Sequence, residues 1–362
     1  MSFYSFCKHI AKVILKREKI SFVSNSPQKN DFENETVFFS DIDESKINSE
    51  NKSMYKHLVA IDGVGFSGSS AIGDFLGEFS NCTSLGGVDP RENPDRGLEN
   101  FFEIDFLREI GGLLDLEKIC YTNCGRIRDD AVHQFIKVCM RYYEGGIYFF
   151  DDYFYELSKK FVNDITSYAY FDSPSHISYV AKRLSVEEFR EKARNFMLSI
   201  LKNIPSKEYL VCDNLTAIGR PDKGILKDYL GDYKVLMSYS DPRDIYARAR
   251  LSGGNDWVPS DPEIFVKNWN QNAVPCINNT DKNTLVTYFD DFCNNYESES
   301  KRIMDFLGLE EKDHIEKFKY FNPKISINNT QVWKKLDNQK PIDYIFANLK
   351  EFCYDSDKHQ KY

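Results

Sequence analysis

The stretch KHLVAIDGVGFSGSSAIGDFLGEF, residues 56–79, reads as strand, glycine turn and helix. Lys56–Asp62 is a short, mostly apolar run of strand length, and AIGDFLGEF has helical spacing. Between them Gly63-Val64-Gly65-Phe66-Ser67-Gly68-Ser69-Ser70 carries the G-x-x-x-x-G spacing of a phosphate-binding loop. Gly65 and Gly68 let the backbone turn tightly and approach a phosphate. The amides of Ser67, Ser69 and Ser70 then point at its oxygens from the positive end of the following helix. The competing reading is a strand–helix turn that merely requires glycine. The lysine that ordinarily follows the second glycine is replaced by Ser69, so the cation that reaches a β- or γ-phosphate is missing and a nucleoside triphosphatase is disfavoured.

Outward from this loop the pattern repeats. EYLVCD (208–213), KVLMSYS (234–240) and TLVTYFD (284–290) read as strands. Helices are expected from Arg243 and over Asn295–Leu309, the latter stopping near Gly308. Strands alternating with helices predict an α/β fold with a central parallel sheet. The folded domain is expected over 55–362, with 98–205 a mainly helical insertion. Before it, residues 3–20 interleave Phe3, Phe6, Ile10, Val13 and Ile14 with Lys8, Lys12, Lys16, Arg17 and Lys19. That pattern suits a helix on an anionic membrane surface or one packed on a protein. Residues 21–55, rich in Ser, Asn, Asp and Glu, read as a polar linker, so that 1–54 forms an amphipathic segment plus linker.

A formal charge of −9 argues against a general nucleic-acid binder, so an anionic ligand would be held by local donors. The nine cysteines are odd in number and scattered, which points to reduced thiols and a cytoplasmic setting. No apolar run reaches the ~18 residues of a membrane span. No set of residues has metal-ligand spacing, and no metal is expected.

Four segments in series resemble the P-loop sulfotransferase family. Phe66-Ser67-Gly68-Ser69-Ser70 resembles its 5′-phosphosulfate loop. KVLMSYSDPRDIYARARL (234–251) is similar to the strand and helix start that grip the donor's 3′-phosphate. LVTYFDDFCNNYESESKRIMDFLGL (285–309) resembles the family's later strand, turn and helix. FNPKISINNTQVWKK (321–335) is similar to the segment that closes over the nucleotide. The resemblance covers about 55–90 and 207–336 and implies a P-loop NTPase-like three-layer fold with a helical acceptor lobe. It implies 3′-phosphoadenosine 5′-phosphosulfate (PAPS) as donor and a hydroxyl acceptor. The region around Glu103, IDFLREIGGLLDLE, is similar to bacterial members of polysaccharide gene clusters, which implies a capsular, exopolysaccharide or glycolipid precursor as acceptor.

Donor-binding residues implied by the resemblance are Gly65, Phe66, Ser67, Gly68, Ser69, Ser70, Ser240, Arg243, Arg248, Ser326, Asn329, Trp333 and Lys334. The family's first arginine of the second segment falls at Ser240 and its later serine at Arg248, as though the two had swapped positions. The competing reading is that these arginines pair with Asp241, Asp244 or Asp256 on the surface. Phe66 stands where many members place Lys or Arg, which leaves Arg91, Arg126 or Lys334 to supply a cation, or leaves a silent nucleotide-binding or scaffold protein. Candidate bases for the acceptor proton are Glu103, His133 and His176. Tyr142, Tyr143, Tyr148, Phe149, Tyr153 and Tyr155 could offer flat faces to sugar rings or simply pack; Arg126 and Arg128 could receive an anionic acceptor.

Overall fold

The computed structural model describes residues 42–47, 55–85, 112–120, 125–144, 152–166, 169–171, 179–181, 184–213, 228–252, 258–278 and 281–354. Along the chain the strands are β1 (His57–Gly63), β2 (Cys82–Leu85), β3 (Ala169–Phe171), β4 (Tyr179–Ala181), β5 (Tyr209–Asp213), β6 (Tyr233–Tyr239) and β7 (Thr284–Tyr288). The longer helices are α1 (Ser69–Gly77), α2 (Leu113–Cys120), α3 (Gly125–Glu144), α4 (Asp152–Thr166), α5 (Val186–Asn203), α6 (Pro242–Leu251), α7 (Tyr296–Leu307) and α8 (Lys340–Leu349). The chain divides into two compact units, one containing residues 106–200 with the N-terminal fifty, the other containing 51–105 and 201–362.

The second unit is built on a five-stranded sheet in the order β2-β5-β1-β6-β7, with every pairing parallel. Its central strands are continuous apolar runs because both of their faces are covered. Leu58, Val59, Ala60 and Ile61 are all buried, as are Leu210, Val211 and Cys212 and the run Val235–Met237. Val59 and Ile61 join Phe75, Leu76, Phe79, Phe292, Ile303 and Phe321 in one apolar cluster. Alternation sends Leu58 and Ala60 to the opposite face. A separate cluster gathers Ile245 and Tyr246 of α6 with Trp269, Ile342 and Ile345. The strands follow the apolar runs of the sequence within a residue or two, and α7 ends on Gly308 at φ 84°, a left-handed cap that favours glycine. β2 is an addition: CTSL is too short and polar to announce itself, and it is a strand because it pairs with β5.

Glu78, at the C-terminal end of α1, pins the late chain to this core. Its Oε2 lies 2.7 Å from His314 Nε2 with both side chains buried, and its Oε1 accepts the amides of Tyr320 and Phe321 at 2.9 Å. The His314 ring stacks on Phe79 at 4.4 Å.

In the first unit α2, α3, α4 and α5 pack around Phe135, Phe161, Phe189 and Phe196. Phe161 and Phe196 stack at 4.7 Å. Arg190 holds Glu117 by two bonds of 2.9 and 2.8 Å, a planar fork on a carboxylate. A buried ion pair, Lys159–Glu156 at 2.9 Å, also receives the amide of Asp43. Within the segment read as polar linker, Glu44–Ile47 forms a helical turn tied to α4 by Lys160–Glu44 and Lys46–Asp152. β3 and β4 form a small antiparallel pair. No helix among the described residues is long and apolar enough to cross a membrane.

Candidate nucleotide-binding site

β1 delivers the glycine loop to the carboxyl end of the parallel sheet, where open α/β sheets bind ligands. The turn closes with Ser67 N donating to Val64 O at 2.8 Å, and Ala71 N donates to Gly68 O at 3.0 Å as α1 begins. Gly68 has φ 89°, and a Cβ there would sit 2.4 Å from a ring carbon of Phe289. Gly63 is constrained differently: a Cβ would lie 2.1 Å from Ser67 Oγ and 2.6 Å from the Ser238 carbonyl. Phe66 also adopts a positive φ, 65°, which is unusual for a bulky residue. The first-turn amides of α1, Ser69 and Ser70, have no intrahelical acceptor by position and lie at the positive end of the helix dipole. Ser67 is 1% exposed and its hydroxyl has no hydrogen-bond partner. Its carbonyl accepts from Ser238 Oγ at 2.9 Å, which ties the loop to β6.

α6 begins where β6 ends. Asp241 caps it, accepting Arg243 N at 2.8 Å, with Pro242 in the first turn. The two arginines of this segment take different roles. Arg243 folds back on Asp241 with contacts of 2.5–3.1 Å, donates to Tyr354 O and lies over the Trp333 ring at 4.5 Å. Arg243 is thus paired with Asp241, but in a buried setting and not on the surface. Arg248 instead reaches neutral oxygens: the Phe66 carbonyl, Asn329 O at 2.5 Å and Ser240 Oγ at 3.4 Å. Its Nε is buried without a partner. The structure thus brings Phe66, Ser240, Arg248 and Asn329 together, from three segments far apart in sequence.

Behind them stand aspartates that the sequence did not single out as site residues. Asp290 Oδ2 lies 3.3 Å from both Ser240 Oγ and Asp241 N. Burial, with Asp244 and Asp241 nearby, pushes its carboxyl up to about 7. Asp244 accepts the amides of Gln331 and Trp333 at 2.6 and 2.9 Å and fastens the segment around 331–333 to α6. Burial raises its carboxyl to about 6 despite those bonds. Burial also lowers the pKa of Arg248, against the pull of Asp244 and Asp290.

The remaining residues are less convergent. Lys334 Nζ is exposed and bonds Gln331 at 2.6 Å. Ser326 ends the short helix Pro323–Ser326, half-buried. Gly65 and Ser69 are half-exposed on the loop and Ser70 is exposed. His133 lies on α3 in the first unit and is half-buried. Glu103, His176, Arg91, Tyr148 and Phe149 lie outside the described residues, as do the side chains of Arg126, Arg128, Tyr142 and Tyr143. Tyr153 donates to Ser199 O at 3.1 Å, and Tyr155 lies beneath Lys159 at 4.9 Å, so both pack within the first unit. Among the described residues no three His, Cys, Asp or Glu side chains converge as a metal set.

Sequence reasoning also passed over Asp213. It ends β5, the strand beside β1, in register with Ile61. It is 7% exposed, and its Oδ2 stands 3.5 Å from Ser69 Oγ. The signal was an aspartate closing an apolar strand, but only the pairing of β5 with β1 places it at the loop.

No family model matches the sequence, and no curated protein matches it. Among solved structures, the chain is similar to a sulfotransferase domain from the Synechococcus PCC 7002 olefin synthase, at 12% identity and a TM-score of 0.38, over 84% of this chain and 98% of that one. It is similar to a sulfotransferase domain from the curacin biosynthetic pathway at 12% identity and a TM-score of 0.37, over 82% and 98%. The sulfotransferase STF1 from Mycobacterium tuberculosis H37Rv is similar at 11% identity and a TM-score of 0.33, over 81% and 77%.

Proposed function

We propose that this chain is a sulfotransferase that moves a sulfuryl group from PAPS to a hydroxyl of a carbohydrate-type acceptor, such as a capsular, exopolysaccharide or glycolipid precursor. The observation that carries the reading is the junction of the glycine loop with Arg248. A backbone anion cradle at the N-terminus of α1 and a guanidinium resting on neutral oxygens are joined through the Phe66 carbonyl. Such a junction suits a nucleotide carrying two separate anionic groups, the 5′-phosphosulfate on the loop amides and the sugar phosphate at Arg248 and Ser240. The missing loop lysine fits a phosphosulfate better than a triphosphate.

In the transfer, the acceptor oxygen attacks sulfur as the bond to the bridging phosphate oxygen breaks, and a base takes the hydroxyl proton. Glu103, His133 and His176 remain the candidates for that base. Ser67, Ser69 and Ser70 would hold the phosphate from the loop. Asn329 and Trp333 would close over the nucleotide, with Ser326 and Lys334 on the same segment. The amphipathic residues 3–20 would bring the protein to a membrane carrying a glycolipid acceptor.

Calorimetric titration with adenosine 3′,5′-bisphosphate, with ATP–magnesium as control, tests the reading. Micromolar binding of the bisphosphate is expected, weakened at least tenfold by Arg248→Ala. Absence of binding by a folded sample would sink it.

A further inference from the structure

Asp290 is buried behind Ser240 with more negative than positive charge around it. It lies in the first turn of the short helix Phe289–Asn294 that follows β7, and it is 1% exposed. Its Oδ2 accepts the amide of Asp241 and the hydroxyl of Ser240, both at 3.3 Å. Its Oδ1 is buried with no hydrogen-bond partner among the described residues. The charged groups that face it come from α6 and its cap: Asp241, Asp244 and Arg248. Arg243 is already paired with Asp241. Arg248 rests on the Phe66 and Asn329 carbonyls and on Ser240, not on the Asp290 carboxyl. The other titratable groups close to it are Tyr239 of β6, Tyr288 of β7, Cys293 on its own helix and Tyr354 of the late chain. Burial raises all four, so none of them is charged near neutral pH. Asp291, the next residue, hydrogen-bonds Tyr354. An ionised Asp290 would place charge on an oxygen that no donor reaches, beside two further carboxylates, and burial pushes its carboxyl up to about 7.

Ser240 links this carboxyl to the ligand. Its hydroxyl has a single proton and lies 3.3 Å from Asp290 Oδ2 and 3.4 Å from an Arg248 Nη2. Arg248 can only donate, so the serine oxygen accepts from it and the hydroxyl proton goes either to Asp290 or to a ligand. An ionised Asp290 holds that proton in a charge-assisted bond, and its charge offsets the guanidinium that would meet a phosphate. A neutral Asp290 releases the proton to a phosphate oxygen and leaves Arg248 its full charge for the same anion. We infer that Asp290 is a positioning residue for the sugar phosphate of the donor, acting through Ser240 and Arg248, and that the anion binds to the form in which Asp290 holds a proton. The proton comes from solvent as the anion arrives. Binding and protonation are therefore linked, and affinity falls as pH rises through the titration of this carboxyl. The inference rests on the proposed nucleotide reading and adds to it the protonation state in which the site accepts its ligand.

The test is calorimetric titration of the full chain with adenosine 3′,5′-bisphosphate at pH 6 and pH 8, for the wild type and for Asp290→Asn, which keeps the shape of the neutral acid and cannot ionise. Ionisation of the bisphosphate itself and of Asp244 acts on both proteins, so the comparison between them isolates Asp290. Expected is nearly equal affinity at pH 6 and about fivefold tighter binding by Asp290→Asn at pH 8. Titrations at pH 7.5 in buffers of different ionisation enthalpy count protons, and the wild type is expected to take up about half a proton more than the variant. Adenosine 5′-monophosphate, which lacks the sugar phosphate, is expected to give no such uptake with the wild type, a control that needs no variant to fold. Parallel pH profiles with equal proton uptake in the two proteins would overturn the inference and leave the nucleotide reading standing. Equal uptake with the monophosphate would do the same. So would weaker binding by Asp290→Asn at both pH values, because the site would then use the ionised carboxylate. No bisphosphate binding at either pH, by a chain that still melts cooperatively, would overturn the nucleotide reading itself and the inference with it.

Discussion

Gly68 carries two constraints at once. Its φ of 89° is strained for any side chain, and the space a Cβ would need is occupied by the Phe289 ring. Gly68→Ala is therefore expected to cost about 2–4 kcal/mol, from left-handed strain plus overpacking. A urea unfolding curve with a lowered midpoint and unchanged slope would show it. The glycine was legible in the sequence because spacing alone places it. So was Arg248, whose guanidinium, eight residues beyond Ser240, lies 3.4 Å from that hydroxyl. Asp213 and Asp290 were not legible as site residues. Each acquires its neighbour across strands or between distant segments, with 144 residues separating Asp213 from Ser69 and 50 separating Asp290 from Ser240. No local pattern encodes such a partner.

Elements were readable where burial on both faces leaves an unbroken apolar run, as in β1, β5 and β6, and where a glycine stops a helix, as Gly308 does for α7. They were not readable where pairing alone creates them. β2 has two hydroxyl residues in four and exists by its ladder with β5, and the turn Glu44–Ile47 exists by its ion pairs with α4. α6 is the element on which the candidate site depends most. Its cap, Asp241, accepts from Arg243 and also receives the amide of Tyr354 at 2.9 Å. Asp241→Ala removes the cap and leaves the buried Arg243 guanidinium without its counter-ion. A loss of about 3 kcal/mol is expected, larger than the ~1 kcal/mol of a cap alone. A cap-sized loss in thermal unfolding would mean that Trp333 and Phe346, which flank the guanidinium, hold it without the ion pair.

For the whole molecule, the raised carboxyls of Asp290 and Asp244 set a direction for stability against pH. An unfolded aspartate releases its proton near 4, whereas these two hold theirs to about 7 and about 6. Between those values the native chain binds more protons than the unfolded one, so stability falls as pH rises from about 4 towards 7. Other carboxylates pull the opposite way at the acid end, so the difference between variants carries the test. Asp290→Asn is expected to lose part of the decline, gaining on wild type by up to ~1.4 kcal/mol per pH unit within the window. Parallel melting curves at pH 5 and pH 7.5 that shift equally in both proteins would contradict the assignment.

The strand order also fixes a sequence of events during synthesis. β1, which carries the glycine loop, is made early, yet its two sheet neighbours are residues 209–213 and 233–239. At ribosomal rates of ~5–20 residues per second, about 150 residues of chain separate β1 from its first partner, a delay of roughly ten seconds or more. Throughout it the apolar run Leu58–Ile61 has both edges open. Until β6 emerges one edge of that run stays unpaired, and a pause in translation before residue 240 is expected to prolong the exposure whereas a later one is not.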